Sequence, residues 1–199
     1  MITMMASRGC VYKCTFCSPH TTLVFGKGVR YRTVGSVIDE LKVLRDKYNF
    51  RSLKFYDYTF TANAKWVREF CDEYMKNGFT QPFICQSRAD LICIREDCVK
   101  QLSETGLKLM LVGFESGNQR VLDFLKKGTK VEHNLKAAEI CKKYGILIGA
   151  SFMLGIPTET REEALQTVKL AKQMRADFAS VSFFTPIPGS SLYDYCLEK

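Results

Sequence analysis

Histidine is scarce in this sequence, and long apolar runs are missing. Only His20 and His133 are present, which excludes metal sites built from several imidazoles, including most histidine-rich zinc sites. No window approaches the roughly 18 consecutive apolar residues that a membrane-spanning helix needs, and Met1 to Arg8 is too short for a signal peptide. We therefore expect a soluble cytoplasmic protein without a membrane span.

Long runs of like charge are missing as well, although 29 Lys and Arg against 21 Asp and Glu give a net charge of +8. Such a balance can attract RNA, an anionic substrate or an acidic redox partner. Because the basic residues are scattered, a solvated basic surface is the simpler explanation. The sequence also has no obvious RNA-binding appendage.

Nine cysteines are present, an odd number in a chain without a secretory signal, so reduced thiols are expected rather than a disulfide framework. Closely spaced cysteines in such a chain bind metal or are buried as small apolar residues. Those outside the amino-terminal group are expected to be structural. They are Cys71, Cys85, Cys93, Cys98, Cys141 and Cys196.

Strand-like and helix-like stretches alternate along all 199 residues, which fit one domain over 1–199. The predicted strands are Ile2 to Ser7, Ser52 to Asp57, Pro82 to Ser87, Lys108 to Glu115, Ile146 to Leu154 and Phe178 to Thr185. The predicted helices are Val34 to Tyr48, Asn63 to Asn77, Arg95 to Glu104, Gln119 to Lys126, Val131 to Tyr144 and Thr160 to Met174. Right-handed βα connections then predict an α/β fold, a partial (β/α)6 TIM-type barrel of parallel strands with outer helices.

Three cysteines follow the first predicted strand with the spacing C-x3-C-x2-C, at Cys10, Cys14 and Cys17. Thiolates are the ligands that iron-sulfur clusters prefer. Three of them leave one iron of a four-iron cube open to a small molecule, which indicates catalysis rather than electron carriage.

Other interpretations of these cysteines remain open. The same spacing would place them on one stripe of a buried helix, although Gly9 before them and Ser18-Pro19 after them disfavour a helix. A structural zinc site needs a fourth ligand, and only His20 is nearby. A non-catalytic iron-sulfur or zinc module is the corresponding alternative function.

The motif with Phe16 before its last cysteine resembles the signature of the radical S-adenosylmethionine (SAM) superfamily. The resemblance covers almost the whole chain and continues through five further segments, at Tyr56-Asp57, Gln86 to Asp90, Gly113 to Gly117, Gly155 to Thr160 and Thr185 to Gly189. It implies a radical SAM enzyme with a 4Fe-4S cluster bound by Cys10, Cys14 and Cys17. It also implies reductive cleavage of SAM to a 5′-deoxyadenosyl radical that abstracts hydrogen from an unknown, most simply small-molecule, substrate.

The resemblance also implies cofactor-binding roles for individual residues. Phe16 would pack by adenine, Asp57 would receive the methionyl ammonium, and Arg88 would pair with the methionyl carboxylate. Glu115 would accept from ribose or ammonium, while Gly155 and Pro157 would form a backbone wall by adenine. A low-potential donor such as a flavodoxin or ferredoxin would supply the electron. Distant relatives modify transfer RNA, so an RNA-modifying, methylthiotransferase-like enzyme remains an alternative.

The sequence is most similar to the subgroup that carries a cobalamin domain upstream and includes methyltransferases and an anaerobic ring-forming cyclase. Cys10 lies so near Met1 that this domain, of about 100 residues, has no room here. The chain is therefore expected to be an excised fragment or not to use cobalamin. Thr158 stands where similar proteins often have glycine, so its backbone is expected to avoid positive φ.

Overall fold

The computed structural model of the chain describes residues 1–17, 26 and 28–199. The sheet at its centre has six parallel strands in the order β1-β4-β5-β6-β7-β8. Their bounds are β1 Ile2–Met4, β4 Leu53–Phe55, β5 Phe83–Ser87, β6 Leu107–Glu115, β7 Leu147–Leu154 and β8 Phe178–Phe183. Two short strands, β2 Ser7–Arg8 and β3 Arg30–Tyr31, form a separate antiparallel ladder.

Helices connect these strands and pack outside the sheet. Numbered along the described residues, they are α1 Val34–Tyr48, α2 Ala64–Lys76, α3 Ala89–Ile94, α4 Glu96–Thr105, α5 Gln119–Phe124, α6 Val131–Lys143, α7 Arg161–Met174 and α8 Ser191–Leu197, with a 3-10 turn at Phe60–Ala62. The predicted partial (β/α)6 barrel is confirmed. Within the described part of the chain, no helix is long and apolar enough to cross a membrane.

The main core lies between the sheet and its helices and is rich in aromatic rings. Phe55, Phe70 and Phe83 are fully buried, and their rings meet edge to face with centroids 5.3 to 6.0 Å apart. Such rings bury a large apolar area in a fixed geometry. This packing holds the strand ends, and therefore the loops that follow them, in place.

The β2-β3 ladder fixes the chain just before the first cysteine. Gly9, directly after β2, has φ of +96°, and a Cβ at this position would lie 2.3 Å from the carbonyl oxygen of Gly28. Only glycine tolerates both the positive φ and this close approach of two backbones. The loop that begins at Cys10 therefore leaves the ladder in one defined direction.

Candidate active site

A cavity of about 550 Å³ opens at the carboxyl ends of the parallel strands, where (β/α) barrels carry their reactive groups. Its lining comes from the loop after β2, the segment after β4, strands β5, β6 and β7, Lys127, and the start of α8 with the two residues before it. Six of the predicted site residues meet in this lining. They are Cys10, Cys14, Cys17, Phe16, Arg88 and Glu115.

The cysteine loop is fastened to two other elements through Thr15. The backbone N–H of Thr15 donates to the carbonyl oxygen of Leu125 at 2.9 Å, just beyond α5, and its carbonyl oxygen accepts from the N–H of Leu192 in α8 at 2.9 Å. Its hydroxyl also donates to the carbonyl oxygen of Phe124 at 3.3 Å. The middle of the loop is thus held from both sides.

The three thiols share the cavity without meeting at one point. Cys10 and Cys14 are half-buried and Cys17 is exposed. Among the described residues, no three side chains of His, Cys, Asp or Glu lie close enough together to hold a metal ion. The number and softness of the donors fit an iron-sulfur cluster, and binding would require the thiols to turn toward a common centre.

Arg88 is held by partners on several sides. It directly follows β5. Its guanidinium donates to the Asp90 carboxylate from Nε at 3.0 Å and from Nη2 at 3.2 Å. Nη2 also donates to the carbonyl oxygen of Lys127. Its Nη1 lies 3.9 Å from the sulfur of Cys14, and its Cζ lies 3.5 Å from the centroid of the Tyr12 ring. Arg88 therefore presents mainly Nη1 to the cysteine loop.

Glu115 ends β6 as half of a buried ion pair. Lys127 Nζ donates to Glu115 Oε1 at 2.8 Å, and both residues are less than 10% exposed while lining the cavity. The register of β6 against β7 shifts between Gly113 and Glu115, and Glu115 has φ of +64°. A Cβ on Gly113 would lie 2.3 Å from Glu115 Oε1. The irregular strand end and the glycine together make room for the pair.

Phe16 connects the cavity with a second, smaller hydrophobic cluster. Its ring packs against the cluster formed by Val121, Leu125, Ile156 and Leu192, and Lys127 Nζ lies 5.7 Å from the ring centroid. A flat apolar ring at the cavity wall suits the face of an aromatic ligand. Its contact with adenine stays a prediction.

Asp57 is fully buried and lies outside the cavity lining. Its carboxylate accepts from the hydroxyl of Ser7 and from the N–H of Ala6 at 3.1 Å. Burial raises the pKa of the Asp57 carboxyl above its usual value, and the bonds from Ser7 and Ala6 oppose that shift. In this arrangement Asp57 ties the end of β4 to the start of the β2-β3 ladder, and its contact with an ammonium group stays a prediction.

Gly155 and Pro157 also lie outside the cavity lining. The N–H groups of Gly155 and Ile156 donate to Glu159 Oε2 at 2.7 and 3.3 Å, which folds this loop onto itself. Their predicted place beside adenine is untested.

Thr158 corrects one expectation, because its φ is +68°. The prediction that Thr158 avoids positive φ is therefore wrong. Arg120 donates from Nη2 to the carbonyl oxygen of Thr158 at 2.8 Å and from Nη1 to its hydroxyl at 3.2 Å. These bonds hold a conformation that a β-branched residue otherwise disfavours.

Four of the six cysteines outside the loop are buried, which agrees with the structural role predicted for all six, whereas Cys93 and Cys196 are half-buried. Cys71, Cys85, Cys98 and Cys141 are buried, and burial raises the pKa of Cys71 and of Cys141 to about 12. Cys93 lies half-buried with its sulfur 3.5 Å from the carbonyl oxygen of His133. Thiols held in the protonated form are poor metal ligands.

Lys127 and Tyr12 are cavity residues that sequence reasoning missed. Lys127 belongs to the polar stretch Lys126-Lys127-Gly128-Thr129-Lys130, where nothing marks one lysine as buried. Tyr12 lies inside the cysteine motif. Because Tyr12 and Arg88 are far apart in the sequence, no local pattern predicts that their side chains stack. Burial raises the pKa of the Tyr12 hydroxyl. His20, named above as the one nearby candidate for a fourth zinc ligand, lies outside the described residues.

Comparison with known proteins shows the family of the chain. The family model described as the radical SAM superfamily matches residues 4–171. The chain is 35% identical over 98% of its length to an uncharacterized methyltransferase of Pyrococcus horikoshii, of which it spans 42%. It is 30% identical over 97% of its length to the anaerobic magnesium-protoporphyrin IX monomethyl ester cyclase of Rubrivivax gelatinosus, of which it spans 34%.

A solved structure of similar fold is the radical S-adenosylmethionine methyltransferase TsrM from Kitasatospora setae, with tryptophan substrate and a SAM analogue bound. It matches with a TM-score of 0.84 and 20% identity over 98% of this chain and 38% of that chain. The chain thus spans less than half the length of these proteins. The family model matches most of the chain, including the cysteine loop and the strands that carry Arg88 and Glu115, and members of that family are enzymes that use a 4Fe-4S cluster and SAM. The chain therefore belongs to the radical SAM superfamily.

Proposed function

We propose that this chain is the radical-generating core of an enzyme that cleaves SAM, with Cys10, Cys14 and Cys17 as the cluster ligands. The observation that carries the proposal is that the three cysteines line one cavity together with Arg88 and the Glu115–Lys127 pair. When bound, the cluster supplies the electron that breaks the bond between sulfur and C5′ of SAM. The protein binds, orients and shields the reactants.

Each polar group of the cavity has a chemical task in this proposal. Arg88 Nη1, already beside the Cys14 sulfur, is placed to donate to an anionic group next to the cluster loop. The Glu115 carboxylate accepts from an ammonium or hydroxyl group. The ring of Phe16 offers a flat face to a nucleobase. Asp57 has an indirect role, because its bonds to Ala6 and Ser7 fix the segment that leads into the cysteine loop.

The reaction of the whole enzyme is proposed more broadly as methyl transfer or ring closure. Relatives at 35% and 30% identity carry names for these two chemistries, and the chain spans only part of each. A small-molecule substrate and a cytoplasmic location fit this class. Cobalamin would be held by a further domain of a longer protein. Titrating the protein of the complete reading frame with cobalamin, followed by visible absorption, distinguishes a cobalamin-dependent reaction of either kind from hydrogen abstraction without cobalamin.

The cluster is tested by anaerobic reconstitution of the purified protein. We expect about four irons per chain and release of 5′-deoxyadenosine when dithionite and SAM are added. A single colourless zinc would instead support a structural module. A protein with a loaded cluster that releases no 5′-deoxyadenosine under these conditions would refute the proposal.

Cys14→Ala is the variant that separates ligand from structural thiols. It removes a proposed ligand from the loop, so we expect loss of bound iron and of visible absorption. Cys141→Ala is the matched control, because the Cys141 thiol is buried in the core. This substitution should leave the iron content unchanged. Equal iron in both variants would contradict the assignment.

A further inference from the structure

A basic surface lies beside the cysteine loop on the β2-β3 ladder. Arg8 and Arg30 pair directly across the two strands, so their side chains project from the same face. Both are exposed. Like charges placed directly opposite each other destabilise a ladder, so this arrangement costs the fold stability and calls for another explanation.

One acidic residue, Glu40, lines the same surface as this pair, and its carboxylate is already paired with Arg32. The first acidic residue of the chain is Asp39, and Arg8, Lys13, Lys27, Arg30 and Arg32 all precede it. Among the described ion pairs, neither Arg8 nor Arg30 takes part in one. Arg32 differs, since it is bound by Glu40 and by the carbonyl oxygen of Ser36.

The surface is also concave. Arg8, Arg30 and the Arg32–Glu40 pair line a second cavity of about 580 Å³, which leaves two cationic groups in excess. The rest of its lining is Met4, Met5, Ser7 and Tyr31. Protein interfaces commonly combine an apolar centre with a polar rim, and arginine is enriched in them. The cavity is separate from the first one, and Arg8 lies only two residues before Cys10.

We propose that the face formed by Arg8 and Arg30, the ladder face, is the docking surface for an acidic, low-potential redox protein that reduces the cluster. This inference rests on the proposed function, because only a cluster at the cysteine loop needs an electron there. Electron transfer requires the two redox centres to approach closely, and the ladder face adjoins the loop in the chain. Two unneutralised guanidinium groups attract surface carboxylates and raise the rate of encounter.

The test measures binding of a reduced acidic flavodoxin to the reconstituted protein by anaerobic calorimetry at low salt. Arg30→Glu should raise the Kd about tenfold or more, and added salt should weaken binding of the wild type. Arg30→Glu also places opposite charges across the ladder, so the thermal unfolding midpoint of this variant should equal or exceed that of the wild type. If Arg30 had only a structural role, its replacement would lower the thermal midpoint. Weaker flavodoxin binding without a lower thermal midpoint therefore supports the docking role.

Lys47→Glu is the matched control. Lys47 is exposed in the last turn of α1 and lines neither of the two cavities. Its replacement by Glu changes the net charge by the same amount as Arg30→Glu. It should leave the Kd unchanged. Equal weakening by Lys47→Glu and Arg30→Glu would show attraction to net charge only and would overturn the proposal.

Electron delivery gives an independent readout. With flavodoxin as the reductant, the Arg8→Glu/Arg30→Glu variant should form 5′-deoxyadenosine about tenfold more slowly, whereas with dithionite it should equal the wild type. Absence of product from the wild type with dithionite would refute the proposed function instead. Loss of affinity for transfer RNA with flavodoxin binding intact would assign the ladder face to RNA and refute the docking proposal.

Discussion

At the scale of single residues, Lys127 joins two parts of the cavity. Its carbonyl oxygen accepts from Arg88 and its ammonium group binds Glu115. One residue thus fixes both the arginine and the carboxylate to which the family resemblance gives cofactor contacts. It acts as a positioning residue in this description.

Lys127→Met tests this role. The change leaves the Glu115 carboxylate buried without its cation, so we expect a loss of about 3 to 5 kcal/mol in the free energy of unfolding, together with weaker binding of SAM. Urea unfolding and calorimetry measure the two effects. Lys130→Met is the control, because Lys130 is exposed and its pair with Glu132 is solvated. Similar stabilities for the two variants would speak against the role.

The residue scale also shows what the sequence can and cannot predict. Cys10, Arg88 and Glu115 were predicted to share one site because each follows a strand that runs toward the same sheet edge. Lys127 was missed, since its burial depends on a contact with Glu115 that no local pattern encodes. Thr158 was predicted wrongly because its φ is set by Arg120, a residue of a distant helix.

At the scale of elements, the turn at Gly9 controls where the cysteine loop begins. Gly9→Ala should destabilise the protein by about 1 to 3 kcal/mol, because a methyl group would meet the Gly28 carbonyl oxygen at 2.3 Å. Gly35→Ala is a matched control in α1, where a methyl group would meet no atom within 4 Å, and it should stabilise by about 0.4 to 1 kcal/mol. Thermal unfolding of both variants provides the measurement, and a neutral Gly9→Ala would contradict this account.

The ion pair between α5 and α7 should give stability a characteristic pH dependence. Arg120 hydrogen-bonds Glu163 and lowers the pKa of that carboxyl from 4.5 to about 2, with a further bond from the Thr160 backbone. A lowered folded-state pKa stabilises the protein above pH 4.5, and this contribution is lost as pH falls toward 2.

Arg120→Met should therefore flatten the fall in unfolding midpoint over that pH range. Melting curves at stepwise lower pH supply the measurement. Lys169→Met serves as the control, since Lys169 is exposed on α7 and should keep the slope of the wild type. An unchanged slope in Arg120→Met would show that the pair contributes nothing there.

Element boundaries were predictable where apolar periodicity was strong. All six strands of the sheet were predicted, because apolar residues dominate or alternate with polar residues in runs such as Leu107–Glu115. The β2-β3 ladder was not, since two residues per strand carry no periodic signal. Helix α3 was missed because no helix was predicted between the strand that ends at Ser87 and the helix that begins at Arg95.

At the scale of the whole molecule, the sheet ends in an exposed apolar edge. Strand β8 pairs with β7 on one side, and all six of its residues are exposed, with Phe183 at 80% and Val181 at 56%. Unpaired edges with apolar side chains promote association between chains. We expect this chain to self-associate at high concentration.

Phe183→Ser combined with Val181→Thr should reduce that self-association. Sedimentation velocity over a concentration series measures it. Val43→Thr is the control, because Val43 is 64% exposed on α1, away from the edge, and should leave association as in the wild type. A concentration-independent monomer before any substitution would remove the basis of the prediction.

The anchoring of Thr15 has a consequence for biosynthesis. The cysteine loop leaves the ribosome before most of the sheet, yet one of its two backbone anchors, Leu192, is made only after all six strands of the sheet. Domains generally fold as units while the chain is being made, starting from the amino terminus. The proposed iron ligands would thus wait, without their second fastening, until translation has passed Ser191–Leu197, so that metal loading becomes one of the last events in the maturation of this domain.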